Sequence, residues 1–173
     1  KFGDRVGTLA WNDFRHMELY YAVSGSGMVC HTINPRLFPE QVAYIINHAE
    51  DKILFVDVLV MPLLEALQDH LSKVETIVIL TDKAHMPEST LPNVLCYEEI
   101  LEAQSDNYDW PEFDENTASG MCYTSGTTGN PKGVVYSHRS TVIHALSGSL
   151  PDVTGASIME TSLPVVPMFH VNA

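Results

Sequence analysis

The chain alternates short apolar runs with segments of helical spacing, and that alternation decides most of what it can fold into. "RVGTLAW" (5–11), "MVCHT" (28–32), "ILFV" (53–56) and "TIVIL" (76–80) have strand length and lack the strict apolar–polar alternation of a half-exposed strand. Continuously apolar strands are those covered on both faces, as in parallel sheets. The stretches between them read as helices. Asn12 is placed to cap one with Phe14, Met17 and Tyr21 along one face. Pro39 opens a second, whose Val42, Ile45, Ile46 and Ala49 follow the spacing of a buried stripe. Pro62 opens a third, with Leu63, Leu64, Leu67 and Leu71 inward. Repeated strand–helix units predict a three-layer α/β architecture, a mostly parallel sheet with helices on both faces.

Beyond residue 81 the pattern loosens. "NVLCYEEILEAQ" gives a short strand and a short helix, and residues 104–118 form a polar, acidic connection. "GMCYT" then leads as a strand into a glycine-rich loop, "GVVYS" leads out, Ser137 caps a helix through about Leu146, and "LPVVPMF" reads as a last apolar strand. The expected division is a first α/β portion over 1–103, the connection, and a loop-bearing portion over 119–173. With 173 residues, 45% of them hydrophobic, there is material for one core. The start at Lys1 and the end at Ala173, directly after an apolar run, suggest a piece of a longer chain. No charged-then-apolar leader is visible, and no apolar run approaches the ~20 residues needed to span a bilayer. A cytoplasmic protein without a transmembrane segment is expected.

Nine Lys and Arg stand against 22 Asp and Glu, a net charge of -13. That balance excludes sequence-independent nucleic-acid binding, which needs cations against phosphates. Between Ala84 and Pro131 there is no Lys or Arg at all, and Lys132 ends the run inside the glycine loop, with Arg139 following in the next helix. The acidic stretch itself reads as a solvated surface. Cys30, Cys96 and Cys122 are too widely and unevenly spaced for a metal knuckle or a disulfide framework, so reduced, buried thiols are expected.

The loop, "YTSGTTGNPKGVVYSH" at 123–138, concentrates the chemistry. Thr124, Ser125, Thr127 and Thr128 offer hydroxyls, while Gly126 and Gly129 let the backbone bend so that its N–H groups converge on an anion. Lys132 adds a point charge and Pro131 stiffens the exit. These are the parts of a polyphosphate clamp. It is no Walker A loop, because Lys132 follows a proline and precedes a strand; "GSGMVC" carries Cys30 where a dinucleotide fingerprint needs glycine; and the hydrolase elbow G-x-S-x-G is absent. The bland alternative is a flexible Ser/Thr/Gly turn. His170, alone in an apolar run, has the ordinary reading of a packing histidine, the other seven histidines show no ligand spacing, and Tyr123 and Tyr136 read as packing.

"YTSGTTGNPKG" resembles the phosphate-binding signature of the adenylate-forming (AMP-binding) superfamily. "PVVPMFHVNA" (164–173) and "NPRLFPEQVAYIINHAEDKILFVD" (34–57) resemble its medium- and long-chain fatty-acid CoA ligase branch. The resemblance covers nearly the whole chain and only the front part of a family member. It implies ATP-dependent activation of a fatty acid to an acyl-adenylate and then an acyl-CoA thioester, with ATP, Mg²⁺ and CoA as the required small molecules. By the same resemblance Ser125, Gly126, Thr127, Thr128, Gly129 and Lys132 hold the β- and γ-phosphates, with Lys132 the catalytic candidate. Thr124 matches the position that contacts Mg²⁺, and His170 lines the acyl pocket. A homodimer of the full-length parent is compatible with it.

The family's adenine- and ribose-binding stretches, hinge and C-terminal catalytic lysine have no match in these residues, so the piece alone is expected to be inactive. "GASIMETS" also departs from the family turn, with Glu160 near the expected aspartate. Three alternatives stay open: a non-catalytic anion-binding fragment, an adenylate-forming enzyme acting on an aryl or amino acid, and a phosphotransferase, against which the missing base and metal motif speak.

Overall fold

The computed structural model of the chain describes residues 1–124 and 129–170. Seven strands among them build one sheet: β1 (Arg5–Leu9), β2 (Val29–Thr32), β3 (Ile53–Val56), β4 (Thr76–Ile79), β5 (Val94–Cys96), β6 (Ala118–Thr124) and β7 (Lys132–Ser137). Their spatial order is β5-β4-β3-β1-β2-β6-β7. Every neighbouring pair is parallel except β6 and β7, which form an antiparallel hairpin at one edge.

Parallel neighbours need crossovers. α1 (Phe14–Gly25), α2 (Pro39–Ala49) and α3 (Met61–Leu67) supply those that follow β1, β2 and β3, a short 3-10 turn at Lys83–His85 lies between β4 and β5, α4 (Tyr97–Glu102) follows β5, and α5 (His138–Gly148) follows the hairpin. On one face Leu9, Ile33, Val56 and Ile79 of the sheet pack against Val42 and Ile46 of α2 and Leu64 of α3. On the other, Val6, Cys30 and Val78 meet Leu19 and Val23 of α1 and Tyr97 of α4. Each such aliphatic side chain contributes about 1.5–3 kcal/mol by leaving water. The continuously apolar runs are therefore apolar because both sides of the sheet are covered. Among the described residues no helix is long and apolar enough to cross a membrane.

Pro39 occupies the first turn of α2, where its missing N–H costs nothing. The helix stops at Glu50, whose φ of 57° is left-handed; its N–H turns back to Asn47 O and the Asp51 N–H to Ile46 O. Arg5 and Lys73 both reach the Glu50 carboxylate, at 3.2 and 2.9 Å, on the surface. Within β1, a Cβ on Gly7 would lie 2.5 Å from Leu54 Cδ2 and 3.2 Å from Asp51 Cγ. A side chain here would displace Leu54 and crowd the buried Asp51.

Several expectations need correction. The stripe Phe14, Met17, Tyr21 faces solvent, and α1 instead buries His16, Leu19 and Val23. Both sets have the same i, i+3, i+7 spacing, so periodicity could not choose between them. His16 is accommodated because its two ring nitrogens lie 3.0 Å from Thr8 Oγ1 and 3.0 Å from Trp11 O. The N-cap is Asp13, whose carboxylate accepts from His16 N–H at 2.8 Å, and Asn12 is used elsewhere. Leu63 of α3 is only partly buried, while Leu64, Leu67 and Leu71 are inside. "LPVVPMF" is no strand: Pro164 and Pro167 lack ladder donors, and side chains, not a neighbouring strand, hold its backbone. Ser137 does cap α5, in a reciprocal box with Ser140, and the helix runs on to Gly148. The three cysteines are buried and unpaired, and burial pushes the Cys30 thiol up to about 12.

Candidate functional site

The sheet ends its parallel strands on one side, and the candidate site lies there. β6 and β7 bring Thr124 and Lys132 directly opposite one another at the mouth of the hairpin. The expected exposed loop between two strands is thus bounded by those strands, with its two ends themselves the last and first ladder residues. Ser125, Gly126, Thr127 and Thr128 lie outside the described residues. Thr124, Lys132 and Gly129 are exposed, and Gly129 has a φ of 94°, a backbone state that favours glycine. Pro131 is buried. Arg139, the next cation, is paired with Glu115 at 2.6 Å and turned to that partner instead of the loop.

Tyr123 anchors the base of this hairpin. Its hydroxyl shares a 2.6 Å hydrogen bond with His48 Nδ1 of α2, and its ring lies 5.3 Å from that of His31 on β2. A Cβ on Gly133, its cross-strand partner, would approach the Tyr123 ring to 3.2 Å, so the glycine after Lys132 gives that ring its seat. Burial, with the Asp51 charge next, pushes the Tyr123 hydroxyl up to about 12 and keeps it a neutral donor. Beneath it, His31 Nδ1 donates to the Asp51 carboxylate at 2.8–2.9 Å in a pair with no exposure, and burial raises the Asp51 carboxyl above the ordinary range. The sequence signalled this cluster weakly: a histidine inside a strand covered on both faces needs a buried partner, and nothing in the spacing named Asp51.

A cavity of about 210 Å³ opens beside the hairpin, at the carboxyl ends of β2 and β6, where open α/β sheets hold their ligands. Tyr123, Thr124 and Pro131 line one side and Phe169 and His170 another, with Thr32 and Asn34 after β2 between them. The fold therefore brings Thr124 and His170, 46 residues apart in sequence, to one hollow. Lys132 is at the hairpin mouth and outside the cavity lining. Phe169 is buried edge-on against Trp11, with ring centroids 5.7 Å apart, and the Arg36 guanidinium lies over both rings. Trp11 and Arg36 went unnoticed in the sequence because neither belongs to a periodic stripe.

Among the described residues no group of three or more His, Cys, Asp or Glu is arranged to hold a metal. The exposed hydroxyl of Thr124, with no carboxylate cluster around it among the described residues, fits a cation carried in on a ligand's own oxygens better than a metal held by protein carboxylates.

Comparison with known proteins decides the family. The model of the AMP-binding enzyme family matches residues 1–173. The chain belongs to the AMP-binding enzyme family. It is 56% identical over 170 residues to a 3-methylmercaptopropionyl-CoA ligase of Ruegeria lacuscaerulensis, covering 98% of this chain and 32% of that protein. It is 54% identical to a medium-chain-fatty-acid–CoA ligase of Ectopseudomonas oleovorans (98% and 31% covered) and 53% identical to a long-chain-fatty-acid–CoA ligase of Thermus thermophilus (99% and 30%). Among solved structures, a long-chain-fatty-acid-CoA ligase from Archaeoglobus fulgidus superposes with a TM-score of 0.83 at 24% identity, covering 98% of this chain and 32% of that one. This AMP-binding chain thus spans about a third of the length of the curated relatives it matches.

Proposed function

We propose that the full-length protein is an AMP-forming acid–thiol ligase that activates a medium- or long-chain fatty acid. The observation that carries the reading is the cavity shared by Thr124 and Pro131 of the hairpin and by Phe169 and His170. The reading takes the hairpin side of that hollow as the approach to the polyphosphate and the Phe169–His170 side as lining for the acid.

In the first half-reaction a carboxylate oxygen bonds to the α-phosphorus of ATP and the bond to the bridging oxygen breaks, releasing pyrophosphate. In the second, the CoA sulfur bonds to the acyl carbon, its proton is lost, and AMP leaves. The obstacle is charge, since an anion must approach a polyanion. Lys132, with the hydroxyl- and glycine-rich stretch that precedes it in sequence, would offset that repulsion at the β- and γ-phosphates. Thr124 presents its hydroxyl to Mg²⁺, which supplies Lewis-acid neutralisation of the phosphates when bound. His170 lines the acyl side, with no proton-transfer role. ATP and CoA as substrates put the proposed reaction in the cytoplasm.

The relative from Ruegeria lacuscaerulensis favours a second reading, in which the acid is a short thioether propionate. The test is ATP–pyrophosphate exchange by the full-length protein with C4 to C16 fatty acids and 3-(methylthio)propionate. The proposal expects the highest kcat/KM between C8 and C16. A preference for 3-(methylthio)propionate moves the substrate to the second reading, and no exchange with any acid overturns the ligase.

A further inference from the structure

We infer that Asn12 is a positioning residue for the acyl-lining segment 164–170, setting its register against the sheet so that His170 reaches the cavity. The inference rests on the ligase reading for its catalytic consequence, and on geometry for everything else. Among the described residues five hydrogen bonds tie this segment to the rest of the chain, and Asn12 makes three of them. Its Nδ2 donates to Pro164 O at 3.2 Å and to Val166 O at 2.9 Å, while its Oδ1 accepts from Met168 N–H at 2.7 Å. Tyr20 donates to Met168 O and Thr32 to Phe169 O, at 3.4 Å for the latter.

The pattern has a period of two. Residues 164, 166 and 168 turn their backbone groups to Asn12, and Val165 between them points to solvent. An extended chain presents alternate residues to the same side, so one amide side chain stands where a neighbouring strand would be. Amide chemistry suits the task, because it offers two donors for the two carbonyls and one acceptor for the amide N–H.

Register matters because a slip would move every side chain of the segment off its seat. In the observed register Met168 and Phe169 are buried, Phe169 packs on Trp11, the turn closed by His170 N–H to Pro167 O follows, and His170 lines the cavity. A one-residue slip toward the C-terminus would place Phe169 where His170 now sits. Residues 149–163 offer no alternative anchor: the backbone bonds described there are local turns, such as Val153 N–H to Leu150 O and Glu160 N–H to Ser157 O.

The test compares Asn12→Ala, Asn12→Asp and Asn12→Gln in the full-length protein. Asn12→Asp keeps an acceptor for Met168 but turns a carboxylate toward two carbonyl oxygens, and Asn12→Gln keeps the amide on a longer stem. KM for whichever acid the wild type activates best should rise about 10-fold in Asn12→Ala and at least as much in Asn12→Asp, with partial rescue in Asn12→Gln, from the loss of three hydrogen bonds partly repaired by water. KM for ATP should stay within about 2-fold, since the hairpin does not depend on Asn12. A merely structural role would lower Tm and leave both constants of the folded enzyme unchanged, or move both together, and either outcome overturns the inference. Hydrogen exchange at Met168 N–H reads the register without any activity: protection lost in Asn12→Ala supports the inference even if the ligase reading fails, and protection kept overturns it.

Discussion

Two regions of this chain treat apolar residues in opposite ways. From β1 to β6 they are inside: Leu54, Val56, Leu64 and Ile79 have no exposure, and helices cover both faces of the sheet. From β7 to Val166 most of them are outside. α5 buries none of its residues, β7 leaves Val134 and Val135 exposed, and Ile158 and Leu163 are 98% and 84% exposed. The two regions differ little in hydrophobicity and greatly in partners. An apolar surface this extensive is stable in water only when something covers it, and the relatives are about three times as long as this chain. The first region has its core among the described residues; the second is an apolar surface with few partners among them.

That contrast can be broken by cutting into each region. Leu54→Ala opens a cavity between β1, β3 and the α2–α3 layer, and should cost about 2–5 kcal/mol whether residues 1–173 or the full-length protein is unfolded in urea. Leu163→Ala should change the stability of residues 1–173 by less than about 0.5 kcal/mol, as exposed substitutions do. In the full-length protein the same change should cost more than about 1 kcal/mol. Were Leu163→Ala neutral in both, the second region would not be covered and the comparison would fail.

A smaller effect sharpens the first region. Burial lowers the pKa of His16 below its ordinary 6.5, so the folded chain resists a proton that the unfolded chain accepts. Stability from this residue is therefore complete above about pH 6.5 and falls as pH drops below it, because the unfolded state then binds more protons. Asp51, raised by burial, acts in the opposite sense at lower pH. His16→Gln should be less stable at pH 7 yet lose less between pH 7 and pH 5 than the wild type, measured by urea midpoints. Parallel profiles for the two proteins would mean that His16 titrates normally.

The same contrast explains what the sequence made legible. Strands β1 to β4 and helix α2 could be read because runs such as "ILFV" and the stripe Val42–Ile45–Ile46–Ala49 are buried within this chain, so hydropathy and packing agree. "LPVVPMF" misled because its hydropathy answers to surfaces other than a strand neighbour. The faces of α1 misled for another reason: His16 looks polar, and only Thr8 and Trp11 O, brought close by the fold, make it a core residue. At the site, the ends Thr124 and Lys132 were readable from their motif, and the cavity that Thr124 shares with Phe169 and His170 is a product of sheet order. Tyr123, His48, His31 and Asp51 were hidden because a hydrogen-bonded cluster drawn from three elements leaves no spacing in the sequence.

The central claim is that the hairpin grips the phosphates while the 169–170 segment receives the acid. Lys132→Ala in the full-length protein separates the two most directly, with ATP–pyrophosphate exchange measured beside equilibrium binding of the fatty acid. Loss of a charge-assisted contact worth about 1.5–3 kcal/mol should slow exchange by about 10- to 150-fold, and fatty-acid Kd should stay within about 2-fold. Unchanged exchange, or a loss of fatty-acid binding as large as the loss of exchange, would contradict the account.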